Sequence, residues 1–209
     1  MNAYQKEQAD AYQKAIAAMR QLPEGDKKVL HIDMQPYLAF RKELNAFLDT
    51  HFGTHCSQSC YENARSACCS KDGIITFWAD VVINVYYSTS SQLEVLYQAL
   101  KNPLYPAKCV YLGPQGCLWR IRPLVCAMFL CDKVQETVFG TLPSARAQWE
   151  DFRNRARSFR WPDQPVLFDK IEILCMALGF RSPLMYINGS PGLLRIKQRA
   201  EKLCSDSDR

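Results

Sequence analysis

The chain has 209 residues, 48% of them hydrophobic, with 26 basic and 21 acidic side chains and a net charge of +5. This composition excludes a disordered chain, and nine glycines exclude collagen-like and glycine-rich repeats. The length predicts one domain, with or without a small appendage, that buries about 70% of its unfolded surface and needs no covalent staples. Ten cysteines are therefore the anomaly.

The first 55 residues predict two helices. Ala9, Tyr12, Ala15, Ile16 and Met19 recur at helix spacing, and Leu22-Pro23-Glu24-Gly25 ends that run. A second helix is expected to start near Asp33 and Pro36. Its apolar face is Tyr37, Phe40, Leu44, Phe47, Leu48 and Phe52, and Gly53 is expected to close it. No secretory leader is expected: the N-terminus lacks a basic region and an uninterrupted apolar region.

Asp72-Gly73 predicts a turn before the apolar stretch Ile74 to Tyr87, read as a short strand leading into a helix. Asp80 and Asn84 interrupt that stretch, and no run reaches the roughly 18 apolar residues of a membrane span. Ser91 to Leu100 predicts a helix stopped by Asn102-Pro103. Two β-prone runs, residues 108–112 and 117–121, flank Gly113-Pro114-Gln115-Gly116, which is a hairpin signature.

The last third predicts helices over Ser144 to Phe159 and Asp163 to Leu178, with Gly179 as the residue after the second. Asn188-Gly189 predicts a turn. Ser190-Pro191 starts a final helix with Leu193, Ile196, Ala200 and Leu203 inward. Arg146, Arg153, Arg155, Arg157 and Arg160 are read as a solvated helix face, so nucleic acid is not an expected partner. A protein partner stays open.

Eight of the ten cysteines fall in one block: Cys56, Cys60, Cys68 and Cys69, then Cys109, Cys117, Cys126 and Cys131. The expected location is cytoplasmic, where thiols stay reduced and clustered cysteines are ligands more often than disulfides. Thiolates hold zinc or iron–sulfur clusters. Buried apolar thiols and a disulfide framework are the competing readings. Cys56 and Cys60 share a face if that turn is helical. Cys109 and Cys117 flank the hairpin turn, and as near cross-strand neighbours they could bind one metal together. Cys126 and Cys131, five apart, point about 140° apart on a regular helix, so shared ligation requires an irregular segment. The adjacent Cys68 and Cys69 diverge, which suits a cluster better than one tetrahedral ion.

The second group resembles the YkgJ family of zinc- or iron-chelating CxxCxxCC domains. Cys109, Leu112, Gly116, Cys117, Trp119, Arg122, Pro123, Cys126 and Cys131 all find counterparts in the family pattern. The turn is one residue shorter than in that pattern, and seven residues separate Cys60 from Cys68. The resemblance covers residues 56 to 131 and implies metal binding. A related cysteine arrangement occurs in FliB-type lysine N-methylases, which gives an enzymatic alternative. A structural zinc module for protein interaction is another.

An iron–sulfur cluster, [4Fe–4S], is preferred over zinc because of the adjacent pair. Arg122 is expected to offset the charge of the thiolate centre. His51 and His55 are secondary ligand candidates, and His31 is expected to be structural. Cys175 lies on the stripe Ile171, Leu174, Cys175, Leu178 and is read as core; Cys204 is read as a thiol of the polar tail. Trp78 and Trp119 are expected to pack around the site, and Asp80 and Asp132 receive no acid–base role. The predicted fold is mainly α with a small β-hairpin. A cysteine-rich core at 56–131 is flanked by helical segments 1–55 and 132–209 packing on the same core.

Overall fold

A computed structural model describes residues 1–56, 62, 69, 76–105, 107–160 and 166–186. Helix α1 (Ala3–Gln21) opens with a reciprocal capping box. The Gln5 N–H donates to Asn2 Oδ1 at 2.9 Å, and the Asn2 N–H donates to Gln5 Oε1 at 2.6 Å. Its inward face, Ala11, Tyr12, Ala15 and Ala18, is at most 3% exposed, and Leu22 ends it before Pro23.

Helix α2 (Glu24–Cys56) corrects two expectations, since it starts nine residues before Asp33 and runs through both Pro36 and Gly53. The Pro23 carbonyl accepts the Lys27 N–H at 2.9 Å, so the proline that ended α1 also starts α2. Glu24 and Asp26 in the first turn favour the positive end of the helix dipole. Pro36 removes one internal hydrogen bond, normally a cost of about 3 kcal/mol. Burial of Leu30, Met34, Tyr37 and Phe40 on both sides of it outweighs that cost. Ile32, whose carbonyl loses its donor, is 67% exposed and faces water.

Helix α3 (Trp78–Tyr87) packs chiefly on α1 and also on α8. Its residues 78–85 are all buried. Phe77 before it is extended, and no strand precedes the helix among the described residues; the Asp72-Gly73 turn lies outside them. Helix α4 (Ser90–Lys101) is capped by Thr89 and Gln92 and ends at Asn102, as expected. Strands β1 (Leu112–Gly113) and β2 (Gly116–Cys117) form an antiparallel hairpin shorter than the runs around it. Gly116 has φ +110°, a conformation that a side chain disfavours.

The single-turn α5 (Leu124–Ala127) and α6 (Asp132–Thr141) lead into α7 (Pro143–Arg157), which has its proline in the first turn. Helix α8 (Leu167–Ala177) begins later than predicted. It ends in a Schellman motif: the Phe180 N–H reaches the Cys175 carbonyl and the Gly179 N–H the Met176 carbonyl, each at 3.0 Å. Gly179 has φ +85°. Gly179→Ala is therefore expected to cost about 1 to 2 kcal/mol, measured by urea unfolding. A loss below a few tenths would mean that this end is held by other contacts.

Among the described residues the architecture is mainly α with a small hairpin. Helices from both flanking segments share one hydrophobic cluster with Tyr111, Leu112, Trp119 and Leu124 of the middle segment. Phe40 of α2 meets Phe152 of α7 at 6.0 Å and Phe159 at 5.2 Å between ring centroids. The turn at Asn188-Gly189, the helix from Ser190-Pro191 and Cys204 lie outside the described residues. The arginines of α7 behave as a solvated face: Arg153 pairs with Glu150, and Arg155 pairs with Glu43 and Asp151. Among the described residues, no helix is long and apolar enough to cross a membrane.

Candidate metal centre

Asp80 and Asn84 are four residues apart on α3 and so share one face of an otherwise apolar helix. They are 2% and 0% exposed. Asp80 Oδ2 accepts the Phe77 N–H at 3.1 Å, and Oδ1 accepts the Leu124 N–H at 3.0 Å. Asn84 Oδ1 accepts the Ile121 N–H at 3.1 Å, while Nδ2 donates to Tyr12 Oη at 3.3 Å. From α2, the buried Arg41 Nη1 donates to the Arg122 carbonyl at 2.6 Å and to Tyr37 Oη at 2.9 Å. Three buried side chains thus hold the backbone of Ile121-Arg122-Pro123-Leu124, the run that leads into Cys126.

This frame was missed at the level of sequence, where Asp80 received no role. The signal was present: two polar residues at helix spacing inside an apolar run are buried together, and buried polar groups require partners. Burial pushes the Asp80 carboxyl up to about 6, against the two backbone N–H bonds and the charges of Arg41 and Arg160.

The hairpin register corrects one expectation. Cys117 stands opposite Leu112, and Cys109 lies outside the ladder. Cys109 is nevertheless anchored on both sides. Its N–H donates to the Cys69 carbonyl at 2.9 Å, its carbonyl accepts the Leu112 N–H at 3.0 Å, and its Sγ accepts the Tyr111 N–H at 3.4 Å. The first of these bonds joins the two cysteine groups of the sequence.

Cys126 sits in α5. Cys131 is the extended residue that starts α6, where its carbonyl accepts the Val134 and Gln135 N–H groups at 3.1 Å each. The segment between them is irregular, the condition that shared ligation requires. Burial pushes the Cys126 thiol up to about 12; Asp80, Cys117 and Cys109 add to this, and Arg122 opposes it. Cys109, Cys117 and Cys126 are therefore electrostatic neighbours, with the Arg122 guanidinium on the side that favours a thiolate.

Cys56 ends α2 and is exposed, Cys69 is half-buried, and Cys60 and Cys68 lie outside the described residues. Among the described residues, no three His, Cys, Asp or Glu side chains converge to hold a metal ion. Cys109, Cys117 and Arg122 are near enough to Cys126 to act on it electrostatically, and thiols are the residue type that suits a soft metal. His51 packs its ring on Phe47 and Phe52, at 4.9 and 6.5 Å. His55 lies in the last turn of α2 beside Cys56. His31 packs against Tyr86 and Tyr87.

Of the two tryptophans expected around the site, Trp119 packs beside the cysteine segment, whereas Trp78 neighbours Cys175. Trp119 is 4% exposed and stands edge-on to Tyr12 and Tyr111, at 5.5 and 5.3 Å. Trp78 and Cys175 are both 0% exposed, which places Cys175 in the core. Burial raises the Cys175 thiol to about 11, and the Trp78 indole opposes this. An open cleft of about 510 Å³ beside the exposed Cys117 is lined by Ser91, Gln92 and Val95 of α4 and by Pro114 of the hairpin. A larger one, about 600 Å³, lies between α1 and α4 and includes no cysteine.

No family model, curated protein or solved structure matches the chain.

Proposed function

We propose that the chain is a cysteine-cluster metal protein of the YkgJ kind, located in the cytoplasm. Its centre is an iron–sulfur cluster in preference to zinc. The ligands are drawn from Cys56, Cys60, Cys68, Cys69, Cys109, Cys117, Cys126 and Cys131, and Arg122 offsets the thiolate charge. The observation that carries this reading is the 2.9 Å bond from the Cys109 N–H to the Cys69 carbonyl. It brings together two cysteine groups that are separate in sequence. When bound, a cluster supplies electron transfer, and zinc supplies structural cross-linking.

Anaerobic purification followed by iron, sulfide and zinc analysis tests the reading. Iron with matching sulfide is the expected result. Stoichiometric zinc without sulfide would select the structural module, and a protein with none of the three would overturn metal binding. Cys109→Ser and Cys126→Ser are each expected to weaken metal retention by more than the roughly 10- to 100-fold that changes around a ligand cost. Competition with a chelator measures this.

A further inference from the structure

Two cysteines far apart in the chain are joined through their backbones. The Cys109 N–H donates to the Cys69 carbonyl at 2.9 Å. A carbonyl oxygen lies about 2.4 Å from its own Cα, and an amide nitrogen about 1.5 Å from its own. The two Cα atoms are therefore no more than about 6.8 Å apart, whatever the angles at the bond, and the bend at the donor nitrogen shortens this further. A disulfide spans Cα separations of about 4.4 to 6.8 Å. The backbone thus already holds these two cysteines within disulfide reach.

The two thiols differ in access. Cys69 is half-buried, so a small oxidant reaches it, whereas Cys109 is 9% exposed. Cys109 is also held in place: its carbonyl accepts the Leu112 N–H at 3.0 Å, and its Sγ accepts the Tyr111 N–H at 3.4 Å. An accessible thiol with a second cysteine beside it is the arrangement in which oxidation ends in a disulfide. Cys69 precedes α3 and Cys109 follows α4, so a bond between them closes a loop around both helices.

We propose that Cys69 and Cys109 are a redox pair, in which hydrogen peroxide oxidises the Cys69 thiol and Cys109 resolves the product into a disulfide. In the first step the Cys69 sulfur takes one oxygen from the peroxide, giving a sulfenic acid and one water. In the second, the Cys109 sulfur attacks the Cys69 sulfur. The S–S bond forms, the S–O bond breaks, and the hydroxyl leaves with the Cys109 proton as a second water. The two thiols lose two electrons, and the peroxide gains them. A thiol reductant reverses the reaction by exchange. The proposal stands on the backbone bond and needs no metal.

Metal-free, fully reduced protein is treated with an equimolar amount of hydrogen peroxide. The remaining thiols are alkylated, and the linkage is mapped by peptide mass spectrometry. The expected result is the loss of two of the ten thiols per chain, with Cys69–Cys109 within one chain as the main disulfide. The thermal midpoint is expected to rise, because the cross-link constrains the unfolded chain, and to return when dithiothreitol is added. Cys109→Ser is expected to leave Cys69 as a sulfenic acid that dimedone captures, an adduct absent from the wild type. A different pair as the main product, a disulfide between chains, or oxidation to sulfinic acid without any linkage would overturn the proposal. The mapping needs only the wild type, so a variant that folds poorly does not rescue it. Metal is removed beforehand, so none of these outcomes bears on the metal-centre reading.

Discussion

Asp80→Ala is expected to destabilise the metal-free protein by about 2 to 4 kcal/mol at pH 5, measured by urea unfolding under reducing conditions. The change removes the acceptor of two N–H groups, those of Phe77 and Leu124, in a site that water does not reach. Each orphaned buried donor costs about 1 to 3 kcal/mol. The size of the loss depends on pH. Burial raises the folded carboxyl from 3.8 to about 6, so between those values the folded state binds a proton that the unfolded state has released. Stability then falls as pH rises through this window, by an amount on the order of 3 kcal/mol for a shift of about two units. The alanine variant lacks this slope, so its disadvantage shrinks from pH 4 toward pH 7. The titratable and charged groups that face Asp80 are Arg41, Arg160, Cys126, Tyr37 and Tyr12. A wild-type profile that is flat between pH 4 and 6 would show that the carboxyl is hydrated and the frame looser than described.

Trp119→Ala is expected to cost about 3 to 5 kcal/mol in the same assay. Trp119 is 4% exposed and fills the space between Tyr12 of α1 and Tyr111 of the cysteine segment. The cavity left behind is bounded by two large rings that cannot collapse into it. Trp119→Phe is expected to cost only about 1 to 2 kcal/mol, because the indole N–H has no hydrogen-bond partner to lose. A tryptophan-specific role at the site would reverse that order, with Trp119→Phe nearly as damaging as Trp119→Ala.

Elements set by neighbouring residues were legible in the chain. The stripe from Ala9 to Met19 predicts α1, Asn102-Pro103 ends α4, and Gly179 caps α8. The glycine-proline turn at 113–116 predicts the hairpin, although only two residues on each side pair. In each case the deciding interaction spans a few residues, so composition and spacing carry it. The start of α2 was misread for the complementary reason. Pro36 is at home in a first turn and costly inside a helix, so a local reading places the helix start beside it. Burial of Leu30 and Met34 against other helices decides otherwise.

The centre divides in the same way. The thiols themselves were legible in the chain: eight in one block, an adjacent pair, and the Arg122-Pro123 run before Cys126. Which polar groups hold the segments around those thiols is set by the packing of the helices. Asp80 meets Leu124 across 44 residues, and Gln8 meets Tyr111 across 103. Such pairs leave no periodic trace, because each partner is chosen by the packing of α1, α2 and α3 around the segment. A thiol is identified by its residue type; its neighbours, its burial and the proton it keeps are set by the three-dimensional dielectric around it.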